Sequence, residues 1–139
     1  MKHKNKIALL ALLTITIAVS TLQSCKKYEN GPRISLRSRT QRVANIWKIE
    51  NYTLDGKDLT SLSSGYTQTF TSDNNYSFSF GILGGTGKWV FQNDDKEIKI
   101  YGINGQSSSV LTILKLEEKS FWYKSTDAGK ITVMHLIPN

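Results

Sequence analysis

Few residues in this chain combine a reactive type with a spacing that chemistry could use. The stretch "GILGGTGKW" (81–89) resembles a phosphate-binding loop at first sight. Such a loop needs Ser or Thr after the Gly-Lys pair and a helix behind it whose amides face the phosphate. Here Lys88 is followed by Trp89, Val90 and Phe91, a strand pattern. Gly84, Gly85 and Gly87 therefore read as a tight hairpin with a bulge. Asp94, Asp95 and Glu97 stand close enough to bind calcium weakly, but acids in a turn read first as a solvated hairpin tip. His135 is the only histidine beyond the first few residues and has no acid beside it. No His, Cys or carboxylate cluster shows metal-ligand spacing, and no carboxylate pair has surroundings that would separate two pKa values. No catalytic residue, metal site or cofactor is expected, and the chain does not read as an enzyme. That leaves Cys25, the only cysteine.

Cys25 ends an apolar run. Ile7 to Val19 would measure about 20 Å as a helix, short of the roughly 30 Å core of a bilayer. Lys2, Lys4 and Lys6 precede the run and a polar, small-residue stretch follows it, the three-part pattern of a secretory leader. The sequence Leu22-Gln23-Ser24-Cys25 resembles the lipobox of bacterial lipoproteins, with an aliphatic residue at minus three and a small one at minus one. That resemblance implies removal of residues 1–24 and acylation of Cys25. Each buried methylene contributes about 0.8 kcal/mol and one chain holds only marginally, so two or three chains make a lasting anchor. A core thiol or an intermolecular disulfide is the competing reading. Lys26 stands where an aspartate marks inner-membrane retention in enteric lipoproteins, so the resemblance places the protein at the outer membrane and leaves open which side it faces.

The net charge of +7 would ordinarily raise nucleic acid as a partner, but its distribution argues otherwise. Three lysines belong to the leader, and residues 26–42 hold Lys26, Lys27, Arg33, Arg37, Arg39 and Arg42 against Glu29 alone. From Val43 onward nine basic residues face ten acidic ones. The excess therefore belongs to the leader and a tether, which would lie near lipid headgroups or simply in solvent. No nucleic-acid partner is expected.

Behind the anchor, residues 25–36 carry a Gly-Pro pair and no periodicity, as a flexible tether would. The domain then runs from 37 to 139. "SLRSRTQRVANIW" predicts a short helix capped by Ser35 or Ser38, with Val43 and Ile46 or Trp47 turned inward. Short runs of aromatic and β-branched residues separated by turn chemistry predict eight strands, at about 46–54, 66–72, 75–82, 86–93, 96–102, 107–117, 119–125 and 130–137. Asn104-Gly105 is the strongest hairpin signal. Alternation puts Tyr76, Phe78 and Phe80 on one face, and Ile98 and Ile100 opposite Glu97, Lys99 and Tyr101. "SVLTILKL" and "ITVMHLI" are apolar on both faces, which requires a cover from the helix or a neighbouring molecule.

The expected architecture is all-β: an eight-stranded antiparallel up-and-down meander closing into a small barrel, since closure removes exposed edges. The "SCKKYENGP" start, "SLRSRTQR" leading into "NIWKI", and "GKWVFQNDDKEIKI" resemble the small lipocalin-like lipoproteins of Bacteroidota envelopes. Lipocalins place Gly two residues before the first-strand Trp; here Asn45 precedes Trp47. The resemblance implies a lipocalin-like barrel that either binds a small apolar or amphipathic ligand or, with its interior filled, serves as a noncatalytic accessory subunit. The expected ligand-lining residues are Tyr76, Phe78, Phe80, Trp89 and Phe91.

Overall fold

A computed structural model describes residues 27–31 and 35–139. Cys25 and the leader lie outside the described residues. The short helix forms as α1 (Arg39–Val43), and of the two candidate caps it uses Ser38. Ser38 Oγ accepts from the Gln41 amide and the Gln41 side chain accepts from the Ser38 amide, so two otherwise unpaired helix donors are satisfied reciprocally. Val43 and Trp47 turn inward while Ile46 is exposed.

The strands are β1 (Asn45–Leu54), β2 (Lys57–Asp58), β3 (Thr67–Phe70), β4 (Asn75–Phe80), β5 (Leu83–Gln92), β6 (Glu97–Tyr101), β7 (Ser109–Leu116), β8 (Phe121–Asp127) and β9 (Lys130–Pro138). Strands β1 and β3 to β9 pair in order, and β9 returns to β1, from Trp47 opposite Pro138 to Leu54 opposite Thr132. This is a closed, eight-stranded antiparallel barrel of the lipocalin-like kind. The ninth strand, β2, is an addition: Asp55 and Gly56 both take positive φ, the turn that lets β2 fold back on β1.

Two bulges set which side chains enter the barrel. One lies between Ile49 and Asn51 on β1, the other between Ile113 and Lys115 on β7. An extra residue shifts the two-residue alternation by one. Ile49 is therefore followed inward by Tyr52, and Ile113 by Leu116, each after three positions.

Two expected turns lie elsewhere. The β4–β5 turn falls at Gly81-Ile82, and Gly84, Gly85 and Gly87 belong to β5 itself. The Asn104-Gly105 pair sits in a longer connection between Tyr101 and Ser109 and does not make a two-residue hairpin. Ladder pairing of Gly84 and Gly85 with Ser79 and Phe78 outweighs the local turn preference of glycine.

One end of the barrel is solid. Trp47, Phe70, Trp89 and Phe121 are fully buried there with Val43, Ile98, Leu116 and Leu136. Phe70 meets Trp89 and Phe121 edge to face at 5.9 and 5.8 Å. The indoles also satisfy their N–H groups: Trp47 Nε1 donates to the Val43 carbonyl at 2.8 Å, and Trp89 Nε1 to that of Thr71 at 3.0 Å. Arg42 of α1 donates to the Leu116 carbonyl at 2.6 Å, fastening the helix across this closed end.

The start of the expected flexible tether is docked on the same end. Tyr28 is 4% exposed, the Asn30 amide donates to the Leu114 carbonyl at 2.8 Å, and Lys27 pairs with Asp94 at 2.7 Å. Residues 27–31 thus share with α1 the cover that the doubly apolar β7 required.

Candidate functional site

The other half of the barrel is not filled. Above Phe70 on β3 the inward positions are Gln68 and then Tyr66, and from Gln68 toward the mouth the interior holds a cup of about 250 Å³. Tyr123, Ser125, Thr132, Met134, Tyr52 and Gln68 of β8, β9, β1 and β3, with Tyr66 just before β3, line one side. The opposite side combines Tyr76 and Phe78 on β4, Ile100 on β6, Ile103 and Gln106 of the β6–β7 connection, and Ser109 and Leu111 on β7. No charged residue lines it.

Between β4 and β6, β5 contributes no side chain to the cup. A Cβ on Gly85 would lie 2.7 Å from the Phe78 ring and 3.0 Å from Ile103. On Gly87 it would lie 2.6 Å from the Tyr101 carbonyl oxygen and 2.9 Å from Ile103. Glycine at both positions leaves the space that Phe78 and Ile103 occupy. Tyr66 stacks near Phe78, 6.2 Å between centroids and 20° between planes.

The floor is a hydrogen-bonded layer. Gln68 is 2% exposed and its Nε2 donates to the Tyr123 hydroxyl at 2.6 Å and the Tyr66 hydroxyl at 3.2 Å. The Tyr123 hydroxyl in turn donates to Met134 Sδ. Among the described residues Gln68 Oε1 has no partner. Burial pushes the Tyr66, Tyr76 and Tyr123 phenols above their ordinary range, and neighbouring phenols push Tyr76 and Tyr123 further. The cup therefore stays uncharged at any physiological pH.

Of the expected lining residues, Tyr76 and Phe78 border the cup. Phe80 sits toward the rim, 37% exposed and tilted against Tyr66 at 6.1 Å. Trp89 is fully buried in the closed end, and Phe91 packs beside it at 5.3 Å, facing the α1 side. Gln68, Tyr52 and Met134 are lining residues that sequence reasoning passed over. The signal for Gln68 lay in "GYTQTF", where a lone amide shares the inward phase with Tyr66 and Phe70.

The remaining reactive types are otherwise engaged. Asp94 and Asp95, in a turn where Asn93, Asp94 and Asp95 all take positive φ, pair with Lys27 and Arg39. Lys27 holds the Asp94 carboxyl below its usual range. Glu97 accepts from Gln92 at 3.0 Å. His135 lies on the outer wall, stacked on Trp122 at 4.0 Å, and desolvation lowers its pKa. No group of three or more His, Cys, Asp or Glu side chains among the described residues is placed to hold a metal ion.

Fold and cup together define a small lipocalin-like β-barrel with one half solid and one half hollow. No family model matches the chain, and no curated protein matches it.

Proposed function

We propose that this chain is a lipid-anchored protein of a bacterial envelope, held at the outer membrane through Cys25, whose barrel binds one small, uncharged, amphipathic molecule. The observation that carries the binding role is the uncharged cup of about 250 Å³ with its mixed polar and apolar lining. Eight-stranded barrels have room for packed side chains or for one small ligand, and this one divides its length between the two. Its volume lies just under the roughly 300 Å³ at which small-molecule pockets ordinarily begin, so the ligand is small. An ion would leave water without a counter-charge in the cup, at a cost of several kcal/mol. A molecule that combines apolar surface with hydroxyl or carbonyl groups matches this lining. The anchor is supported by the leader and by Leu22-Gln23-Ser24-Cys25.

Native mass spectrometry of the protein purified from its host tests the binding role: a stoichiometric small-molecule adduct is expected. A second reading, a noncatalytic interaction subunit, is favoured by the β4–β5 hairpin, where Ile82 and Leu83 are 103% and 63% exposed. A ligand-free protein that takes up no small amphipathic molecule would leave only that reading. For the anchor, Cys25→Ser should abolish labelling by a clickable fatty acid, and equal labelling of the mutant would sink the lipoprotein assignment.

A further inference from the structure

Lys27 is two residues beyond Cys25, and two residues of extended chain reach at most about 7 Å. Lys27 is tied to Asp94 in the β5–β6 turn, Tyr28 is buried, and Asn30 is bonded to the β7 backbone at Leu114. Two further tether cations are likewise engaged with acids of closed-end turns, Arg37 with Glu118 at 3.0 Å and Arg39 with Asp95. Exposed pairs of this kind contribute little each, so the pin is the buried Tyr28, with the ion pairs fixing its register.

We infer that the closed end of the barrel is the face held against the lipid surface and that the mouth of the cup points away from it. This rests on the anchor reading above. An acylated Cys25 sits at the headgroup level, and the chain leaves no slack for the barrel to turn over. Leu83 at the mouth and Gln92 at the closed end are nine steps apart on β5. At about 3.3 Å per residue and a tilt near 40°, that places the mouth roughly 20 Å farther from the membrane than the closed end. The cup then exchanges its ligand with the aqueous compartment or a soluble carrier, and does not draw it sideways from the leaflet that holds the anchor.

Acylation consumes the only native thiol, so a single introduced cysteine can be labelled uniquely. Lys119→Cys, in the exposed β7–β8 turn, marks the closed end, and Ile82→Cys marks the mouth. The acylated full-length mature protein, labelled with bimane, is placed in phosphatidylcholine vesicles containing a headgroup-nitroxide lipid. Severalfold stronger quenching at the closed-end site is expected, with the difference lost in a Lys27→Gln, Tyr28→Ser background. Equal quenching at both sites, stronger quenching at the mouth, or a difference that survives in the undocked background would overturn the inference. A chain whose mass carries no acyl groups at Cys25 would overturn the anchor reading itself, and the orientation with it.

Discussion

From Phe70 downward the barrel interior consists of Trp47, Trp89, Phe121 and the aliphatic side chains between them, all without exposed surface. From Gln68 upward the same strands surround an uncharged hollow bordered by tyrosines, other polar side chains and aliphatics. Both ends are rich in aromatics, so composition does not separate them. Each indole of the closed end spends its single donor on a nearby carbonyl, and the atoms left without a partner there among the described residues, the Tyr28 hydroxyl and Arg42 Nε, belong to its cover. The cup tyrosines and Gln68 carry donors and acceptors in excess of their mutual partners, and Gln68 Oε1 has no partner among the described residues. The closed end is packed solid; at the hollow end the spare polar capacity borders an open volume.

Substitutions that act on only one half test this division. The largest effect is expected from Trp47→Ala: deleting a fully buried indole typically costs about 3 to 5 kcal/mol, a large share of the roughly 5 to 15 that holds such a domain together. Urea melts measure it, and a loss under about 1 kcal/mol would break the comparison. Next comes Gly87→Ala, whose Cβ would lie 2.6 Å from a backbone oxygen. Overpacking of this kind costs about 1 to 3 kcal/mol. Because Ile103 must also move, the cup should change shape, which shifts in the Ile103 methyl NMR signals would reveal.

Raising the pH separates the halves in another way. Tyr66, Tyr76 and Tyr123 have folded pKa values above the ordinary 10.0. Above pH 10.0 the folded chain consequently retains protons that the unfolded chain has lost, and stability must fall as pH rises. Thermal melts followed across that range should show the decline, with phenolate absorbance from these three appearing together with unfolding. A full tyrosine titration in a still-folded protein would contradict the dry setting assigned to the floor.

The smallest pair of effects compares two hydroxyls. Tyr123→Phe removes a bonded group and should cost about 1 kcal/mol. Tyr28→Phe removes a buried hydroxyl with no partner among the described residues and should be neutral or stabilising by up to about 1 kcal/mol. If both variants lose the same amount, the Tyr28 hydroxyl has a partner that the closed end does not supply.

Much of this organisation could be read locally. Ser38 announced its helix through a side chain that bonds three residues on, and Asp55-Gly56 and Ala128-Gly129 reached positive φ where turn residues had marked breaks. The inward phase of Tyr76, Phe78, Ile98 and Ile100 followed from a two-residue repeat that needs no knowledge of the partner strand. Ladder partners decided against the local signal at Gly84 and Gly85. The docking of Tyr28 also escaped the sequence reading, because one aromatic in a polar, aperiodic stretch carries no pattern.

By itself the sequence determined the number of barrel strands, their approximate limits, most of their turns and, in the clearly alternating β4 and β6, the side that faces the core. These depend on propensities and periodicities within a few residues. Only the tertiary structure decided how high along the barrel each inward residue sits, because height is set by register between strands far apart in the chain. Trp89 and Phe78 both point inward, yet the pairing of Phe78 with Gly85, four residues before Trp89 on β5, sends one to the cup and the other to the solid end. Periodicity could say that an aromatic is inside, while the register of eight strands closing on themselves determined whether that inside is full or empty.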